Sequence, residues 1–426
     1  MAWRRSGRRG DSERVDGPEV PELRGRLVDH LVEAGRIVGS EVQQAFRTVP
    51  RHLFLPGVDP ALAYADQAVV TDRDPEGRPI SSSSQPAIMA VMLEQLGVQP
   101  GERVLEIGAG TGYNAALLAE LVGETGLVVT VDIDADVVER ARRNLELAGY
   151  ARVDVVHGDG AQGWPAGAPY DRIILTVGAW DIAPAWARQL TDAGRLLLPL
   201  SLRGAQRSVA FEHLDGGLAS VSIADCGFMP MRGELTGPDS ARPLSRPGVF
   251  LHVDDDRRID PDTYQAALER PAGQLATGVQ VTDKDVMGGL DLWLSLNEPD
   301  TARLGALDAA AESDIVPALI SYPGMSSTMA VVGERSMAVL VRHDESRDDR
   351  TFDLDVRGYG PGSDALVDRL AEHVRAWVRH ARPTSAQLTI QAYPRDAAPA
   401  GGADSIVVDK LHTRLVINWD DPRSRP

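Results

Sequence analysis

Residues 104–114, VLEIGAGTGYN, decide the fold. An apolar run carrying Glu106 ends at Ile107, and a turn built on Gly108, Gly110 and Gly112 opens into a helix-forming stretch, Asn114–Leu121. Glycines at that spacing let the backbone approach a ligand, and some tolerate positive φ. Outward from the turn, apolar runs alternate with amphipathic ones. RVLEIG (103–108), LVVTVDI (127–133), VDVVHG (153–158), YDRIILTV (170–177) and GRLLLPLSL (194–202) read as strands. Helices are predicted across Asn114–Leu121, Asp136–Ala148 and PAWARQL (184–190). Continuous Val/Ile/Leu runs separated by helices predict a parallel sheet covered on both faces. Residues 23 to about 235 are therefore expected to form one doubly wound α/β domain.

The flanks read differently. Residues 1–22 are expected to be a disordered tail, and helical spacing of Leu23, Leu27, Leu31, Val42, Ala45 and Phe46 begins after it. Tyr64–Pro79 is polar and loop-like, and the serines of SSSSQP (81–86) look like an N-cap for the apolar helix that follows. TGPDSARPLSRPG (236–248) reads as a linker. Beyond it, LDLWLSL (290–296), MAVVGE (329–334), MAVLVRH (337–343), AQLTIQAY (386–393) and TRLVINW (413–419) read as strands. A helix over Asp364–Arg382 would bury Leu366, Leu370, Val374, Trp377 and Val378. Residues 249–426 are thus expected to be an α+β domain.

Composition narrows the function classes. A chain of 426 residues fits two domains. Forty-four Lys/Arg against 62 Asp/Glu, a net charge of −18, argue against a nucleic-acid partner. No apolar run approaches a membrane span, and MAWRRSGRRGDSER lacks the apolar core of a secretory signal. The single Cys226 cannot form an intramolecular disulfide or a cysteine metal cluster, which points to a reducing cytoplasm. His373 and His380 are read as solvated or packed, so no metal is expected. Trp164 and Trp180, in loops after strands, are read as packing residues, with the lining of a ligand or peptide site as the alternative, and Asp254–Asp256 as a solvated turn.

Three nucleotide chemistries compete for the glycine turn. A phosphate-binding Walker loop needs a lysine, but the only lysines are Lys284 and Lys410. A dinucleotide fingerprint wants Gly or Ala where Tyr113 stands. The remaining pattern, acidic-x-G-x-G-x-G, resembles the turn of S-adenosylmethionine (SAM) methyltransferases. Asp132 ends the second strand, where a carboxylate can accept ribose hydroxyls, and Asp159 follows the third, in reach of an adenine amino group. Glu106 would face the methionine moiety. The expected cofactor set is Glu106, Gly108, Gly110, Thr111, Gly112, Asp132, Ile133, Gly158, Asp159 and Gly160.

VPRHLFLP (49–56), AYADQ (63–67), SSQP (83–86), VVHGDGAQGW (155–164), APYDRIIL (168–175), QLTDAGRLLLPL (189–200) and GFMPMRG (227–233) carry a closer likeness. With the glycine turn, they make residues 23–235 resemble protein-L-isoaspartate O-methyltransferases. The resemblance implies a Rossmann-like SAM-dependent methyltransferase that leaves S-adenosylhomocysteine, with Ser84 near the transferring methyl and the acceptor carboxylate. Ser83 and Ser82 are weaker candidates for the same contact. The chain departs from the family where EGRPISSSSQP replaces the usual lead into that proline, and in its long C-terminal extension. These features resemble a branch associated with lanthipeptide biosynthesis (the "FxLD system" methyltransferases). That likeness implies methylation of an aspartate in a ribosomally made, cyclised precursor peptide. The ester can then close to a succinimide. Repair of isoaspartyl damage is the alternative. Either acceptor is already ionised at pH 7, so the chemistry needs placement and dryness more than a base.

Overall fold

A computed structural model describes residues 19–73, 79–238, 241–255, 257–307, 316–322, 325–343, 351–397, 401–402 and 404–420. Contacts divide the chain into two compact units, Met1–Thr176 with Ala185–Leu197, and Val177–Pro184 with Leu198–Pro426.

The first unit opens with helices α1 (Val20–Glu33), α2 (Ser40–Thr48) and α3 (Pro60–Ala63). Helix α1 begins at Val20, with Pro21 preorganised in its first turn, so the tail expected over 1–22 ends earlier. Residues 1–18 of that tail lie outside the described residues. The segment expected as a loop carries a strand, β1 (Val69–Arg73), paired antiparallel with β2 (Pro79–Ser83). Three of the four serines, 81–83, are therefore strand residues. The helix after them, α4 (Pro86–Leu96), is preceded by Gln85, and no adjacent side chain caps it. The expected serine cap is thus corrected. The Asp66 carboxylate does that work from 21 residues upstream, accepting from Ala87 N–H at 2.8 Å. Serine beside proline satisfied a local rule, but tertiary structure supplied a charged acceptor instead.

The parallel sheet follows as read. Strands β3 (Arg103–Ile107), β4 (Leu127–Asp132), β5 (Asp154–His157), β6 (Tyr170–Leu175) and β7 (Leu190–Leu202) lie in the order β5-β4-β3-β6-β7. All four pairings are parallel, with β7 belonging to this unit through Leu197. Helices α5 (Tyr113–Val122) and α6 (Ala135–Leu147) pack on β4 and β5, and α7 spans Pro184–Gln189. Val104, Leu105, Val128, Val129, Val131, Ile173 and Leu175 are buried, which is why these strands read as continuous apolar runs. The chain winds outward from β3 to one side and then returns to the other. Such a reversal leaves a crevice at the carboxyl ends of the strands.

The second unit is α+β. Strands β8 (Ala205–Leu214) and β9 (Gly217–Asp225) form a hairpin. β9 pairs with β18 (Leu388–Pro394), which pairs with β20 (Thr413–Trp419), itself beside β19 (Ile406–Asp409). An antiparallel sheet has the order β10 (Ala241–Pro243), β11 (Val249–His252), β13 (Thr301–Leu307), β15 (Met325–Val332), β16 (Met337–His343), β17 (Phe352–Tyr359) and β12 (Pro271–Val281), with β14 (Ile320–Tyr322) beside β15. Helix Asp364–Arg379 covers one face through Val367, Leu370, Val374 and Trp377, while Leu366 and Val378 are only partly buried. Tyr264 and Leu268 of helix Pro261–Leu268 pack in a second core with Val339 and Val341.

Three readings change here. LDLWLSL is a helix, Asp291–Asn297, because Leu290–Leu296 is buried on every side and its period-2 spacing marks no solvent face. Residues 241–243 of the expected linker form β10. Asp254 is no solvated residue: its side chain, 10% exposed, sits 3.5 Å from the buried Lys410 ammonium and accepts from Ser201. Asp256 lies outside the described residues.

A carboxylate-lined glycine turn beside a serine hairpin

The glycine turn needs its glycines for backbone reasons. Gly108, Gly110 and Gly112 have φ of +105°, +52° and +88°. A Cβ at Gly112 would also meet Leu145 at 3.1 Å and the Ala141 carbonyl at 3.2 Å, so this residue fixes how closely α5 and α6 approach. Thr176 Oγ1 donates to the Gly108 carbonyl at 2.6 Å, tying the turn to the end of β6.

Carboxylates stand at the ends of the next two strands. Asp132 accepts from Gly110 N–H at 3.3 Å and Asp134 N–H at 3.1 Å, so its side chain reaches from β4 back to the turn. Gly158 N–H donates to the Asp132 carbonyl at 3.0 Å, which brings the start of the GDG stretch beside it. Asp159 accepts from Ala161 N–H at 2.9 Å, capping a short turn over Gly160–Gln162, and the Gly160 carbonyl accepts from the Trp186 indole. Ile133 follows Asp132 and its carbonyl faces His157 Nε2 at 3.1 Å. The Thr111 carbonyl accepts from Asn144 at 3.0 Å.

Glu106 sits differently from the sequence expectation. It is fully buried beneath the turn, and both oxygens are engaged: Asn114 Nδ2 donates at 2.8 Å and Thr130 Oγ1 at 2.6 Å. Burial pushes its carboxyl up to about 7, against the two hydrogen bonds that favour the ionised form. Its visible work is to clamp the first turn of α5 to β3 and β4. Neither Asn114 nor Thr130 was assigned a role from the sequence, although Asn114 closes the quoted glycine motif and Thr130 lies in the second strand.

Across from the turn lies the β1–β2 hairpin. A Cβ at Gly110 would lie 3.8 Å from the Ser82 carbonyl, ordinary contact distance, so the turn and the hairpin face each other here and it is the φ of +52° that favours glycine. Ser81 accepts from Thr71 at 3.1 Å, Ser83 is buried, and among the described residues the Ser84 hydroxyl makes no hydrogen bond. Asp66 holds Gln85 as well as the helix start, through Gln85 Nε2 at 3.1 Å. Asp72 forms an ion pair with Arg140 of α6. Two supports were missed in the sequence, Arg51 and Asp66, although both stand in quoted stretches. Trp164 lies elsewhere, lining a groove with Arg142, Val153, Asp154 and Val156. Trp180, in the second unit, lies under the Lys410 ammonium, 4.8 Å from its ring centroid. His373 pairs with Glu298 at 3.1 Å.

The chemistry of this donor set suits SAM: a turn of positive-φ glycines with the Asp132 and Asp159 carboxylates at the ends of the neighbouring strands. The chain's relatives agree. The family profile described as "Protein-L-isoaspartate(D-aspartate) O-methyltransferase (PCMT)" matches residues 22–236. The protein-L-isoaspartate O-methyltransferase of Hyperthermus butylicus is 41% identical over 222 residues, covering 50% of this chain and 90% of that protein. That of Thermotoga maritima is 42% identical over 174 residues, covering 41% of this chain and 55% of that protein. A solved protein-L-isoaspartate O-methyltransferase shares 25% identity at a TM-score of 0.48, covering 86% of this chain and 96% of that one. The chain belongs to the protein-L-isoaspartate(D-aspartate) O-methyltransferase family, SAM-dependent carboxyl O-methyltransferases.

Proposed function

We propose that this chain methylates the carboxylate of an aspartyl-derived residue in a peptide or protein, with the acceptor held beside Ser84. The observation that carries the proposal is the Ser84 hydroxyl, without an internal hydrogen bond among the described residues and directly after the hairpin strand whose Ser82 carbonyl faces the glycine turn. A neutral hydroxyl orients a carboxylate without charge repulsion. Ser82 and Ser83 are strand residues, and Ser83 is buried, so Ser84 is the member of the set best placed for contact.

Gly108, Gly110, Thr111, Gly112, Asp132, Ile133, Gly158, Asp159 and Gly160 hold the cofactor in this reading, while Glu106 braces them from below. SAM supplies a methyl group on a sulfonium, leaving S-adenosylhomocysteine. The residues of this chain contribute placement. The acceptor, with a pKa near 4, is already ionised at pH 7 and needs no base, so the site must align it and exclude water.

The names of the relatives favour an L-isoaspartyl acceptor over the lanthipeptide reading. A second reading, aspartate in a cyclised precursor peptide, is favoured by the charged β1–β2 hairpin and by the strand-rich second unit, to which we assign recognition of the peptide. The test supplies labelled SAM with an isoaspartyl peptide and, in parallel, with the same peptide carrying aspartate inside a thioether ring. Methyl ester on the isoaspartyl peptide is expected. Ester on the ring peptide alone would move the assignment to peptide maturation, and ester on neither would overturn both.

A further inference from the structure

Arg51 is fully buried, and the way it is satisfied is unusual for a buried cation. It lies on a short helical turn, Arg51–Phe54, opened by Pro50. Its Nε donates to the Ala63 carbonyl at 2.9 Å and its Nη2 to the Ser84 carbonyl at 2.9 Å. Nη1 meets Met89 Sδ at 3.8 Å, and the guanidinium lies 4.9 Å from the centroid of the Tyr113 ring. Among the described residues no carboxylate pairs with it; Asp66 acts on it only from a distance. Burial pulls the guanidinium below its usual range, because surroundings without water disfavour its charged form.

A methionine of similar reach would pack against Met89 and Tyr113 without that desolvation cost. What it could not do is bond two backbone carbonyls at fixed angles. One of those carbonyls belongs to Ser84, 33 residues away, and the ring under the guanidinium belongs to the first residue of α5, directly after the glycine turn. A single planar fork therefore spans the serine end of the hairpin and the start of the helix behind the cofactor turn. A lysine keeps the charge but has no such fork.

We propose that Arg51 is a positioning residue: by holding the Ser84 carbonyl against the start of α5, it sets where the Ser84 hydroxyl meets the acceptor carboxylate. This rests on the assignment of Ser84 to the acceptor. Releasing the carbonyl moves the hydroxyl rather than removing it, and a displacement of about 1 Å costs on the order of 100-fold in rate.

The experiment compares wild type, Arg51→Lys, Arg51→Met, Ser84→Ala and Arg51→Met/Ser84→Ala. It measures kcat and KM with an isoaspartyl peptide, and S-adenosylhomocysteine affinity by calorimetry. Calorimetry also reports which variants are folded, and Arg51→Lys carries the comparison if Arg51→Met is not, paired with Arg51→Lys/Ser84→Ala. Arg51→Met is expected to lower kcat by about 100-fold and Arg51→Lys by about 10-fold, with S-adenosylhomocysteine affinity kept within about 3-fold. The double variant is expected to be no slower than Arg51→Met alone, because the serine is already misplaced. Losses that multiply would show Arg51 acting independently of Ser84 and overturn the proposal, leaving the Ser84 assignment intact. A 10-fold or greater loss of S-adenosylhomocysteine affinity in Arg51→Lys would also overturn it, by placing the effect on the cofactor half. A Ser84→Ala single variant with wild-type kinetics would overturn the Ser84 assignment, and this proposal with it.

Discussion

The glycine turn and the serine hairpin face each other, yet they are held by different physics. The turn is fixed first by its backbone: three positive-φ glycines lie within five residues, and Thr176 on the Gly108 carbonyl, Asp132 on Gly110 and the clamp at Glu106 add to that. The hairpin is fixed from a distance, by Arg51 on the Ser84 carbonyl, Asp66 on Gln85 and Ala87, and Asp72 on Arg140. Local backbone demands leave little room for change, whereas a few long-range polar anchors can hold hairpins of different sequence. On the proposed function, the cofactor half is therefore the constrained half, and the acceptor half is where such a fold can be rebuilt for another substrate.

Breaking the turn gives the largest expected effect. Gly112→Val forces a branched side chain into φ +88° and against Leu145 and the Ala141 carbonyl. S-adenosylhomocysteine binding by calorimetry should vanish. Binding within 10-fold of wild type would show that the turn tolerates what its geometry forbids.

The clamp gives the next effect, and its sign is set by the raised carboxyl of Glu106. Between about 4.5 and 7 the folded state holds a proton that the unfolded state has lost, so stability falls as pH rises through that window and levels off above it. In Glu106→Gln this fall should disappear, a difference of about 3 kcal/mol between pH 4.5 and pH 8 in urea unfolding. Thr130 can turn its hydroxyl to accept from the amide, which keeps the clamp closed. An unchanged slope would mean that Glu106 is not the buried acid described.

Asp66→Ala probes the hairpin side and sharpens the contrast. Losing the cap on Ala87 should cost about 1 kcal/mol in thermal unfolding. It should raise the KM for a methyl-accepting peptide several-fold and leave S-adenosylhomocysteine affinity unchanged. An equal loss on both ligands would erase the distinction between the two halves.

The same division explains what was legible in the sequence. The strands from Arg103 to Leu202 were readable because burial on both faces makes them continuous apolar runs, and the glycines because φ restricts that choice to one residue. Asp132 and Asp159 were readable as strand-end carboxylates, although their contacts with Gly110 and Ala161 were not. β1 was hidden by Asp72 and Arg73, β2 by its proline and serines, and the cap on α4 by the 21 residues between Asp66 and Ala87. Glu106 was found, but sequence spacing could not say that its oxygens point inward to Asn114 and Thr130. In the second unit, β9 pairs with β18, and Arg207 meets both Asp225 and Ser385. The family profile ends at residue 236, so the related stretch ends far from the strand that completes its last hairpin. A chain cut at 235 would strip β9 of β18 as well as removing the rest of the unit. Loss of activity in that truncation would not isolate a recognition role.

In the proposed function, carboxyl methylation runs between the glycine turn and the serine hairpin, on a cofactor gripped by Asp132. The direct measurement is transfer of labelled methyl from SAM to an isoaspartyl peptide, scored as volatile methanol released by base, in wild type and in Asp132→Ala. Base-labile label is expected in the wild type, with a loss of about 10- to 100-fold in the variant at limiting SAM. Base-stable label, or equal transfer by both proteins, would contradict the proposed function.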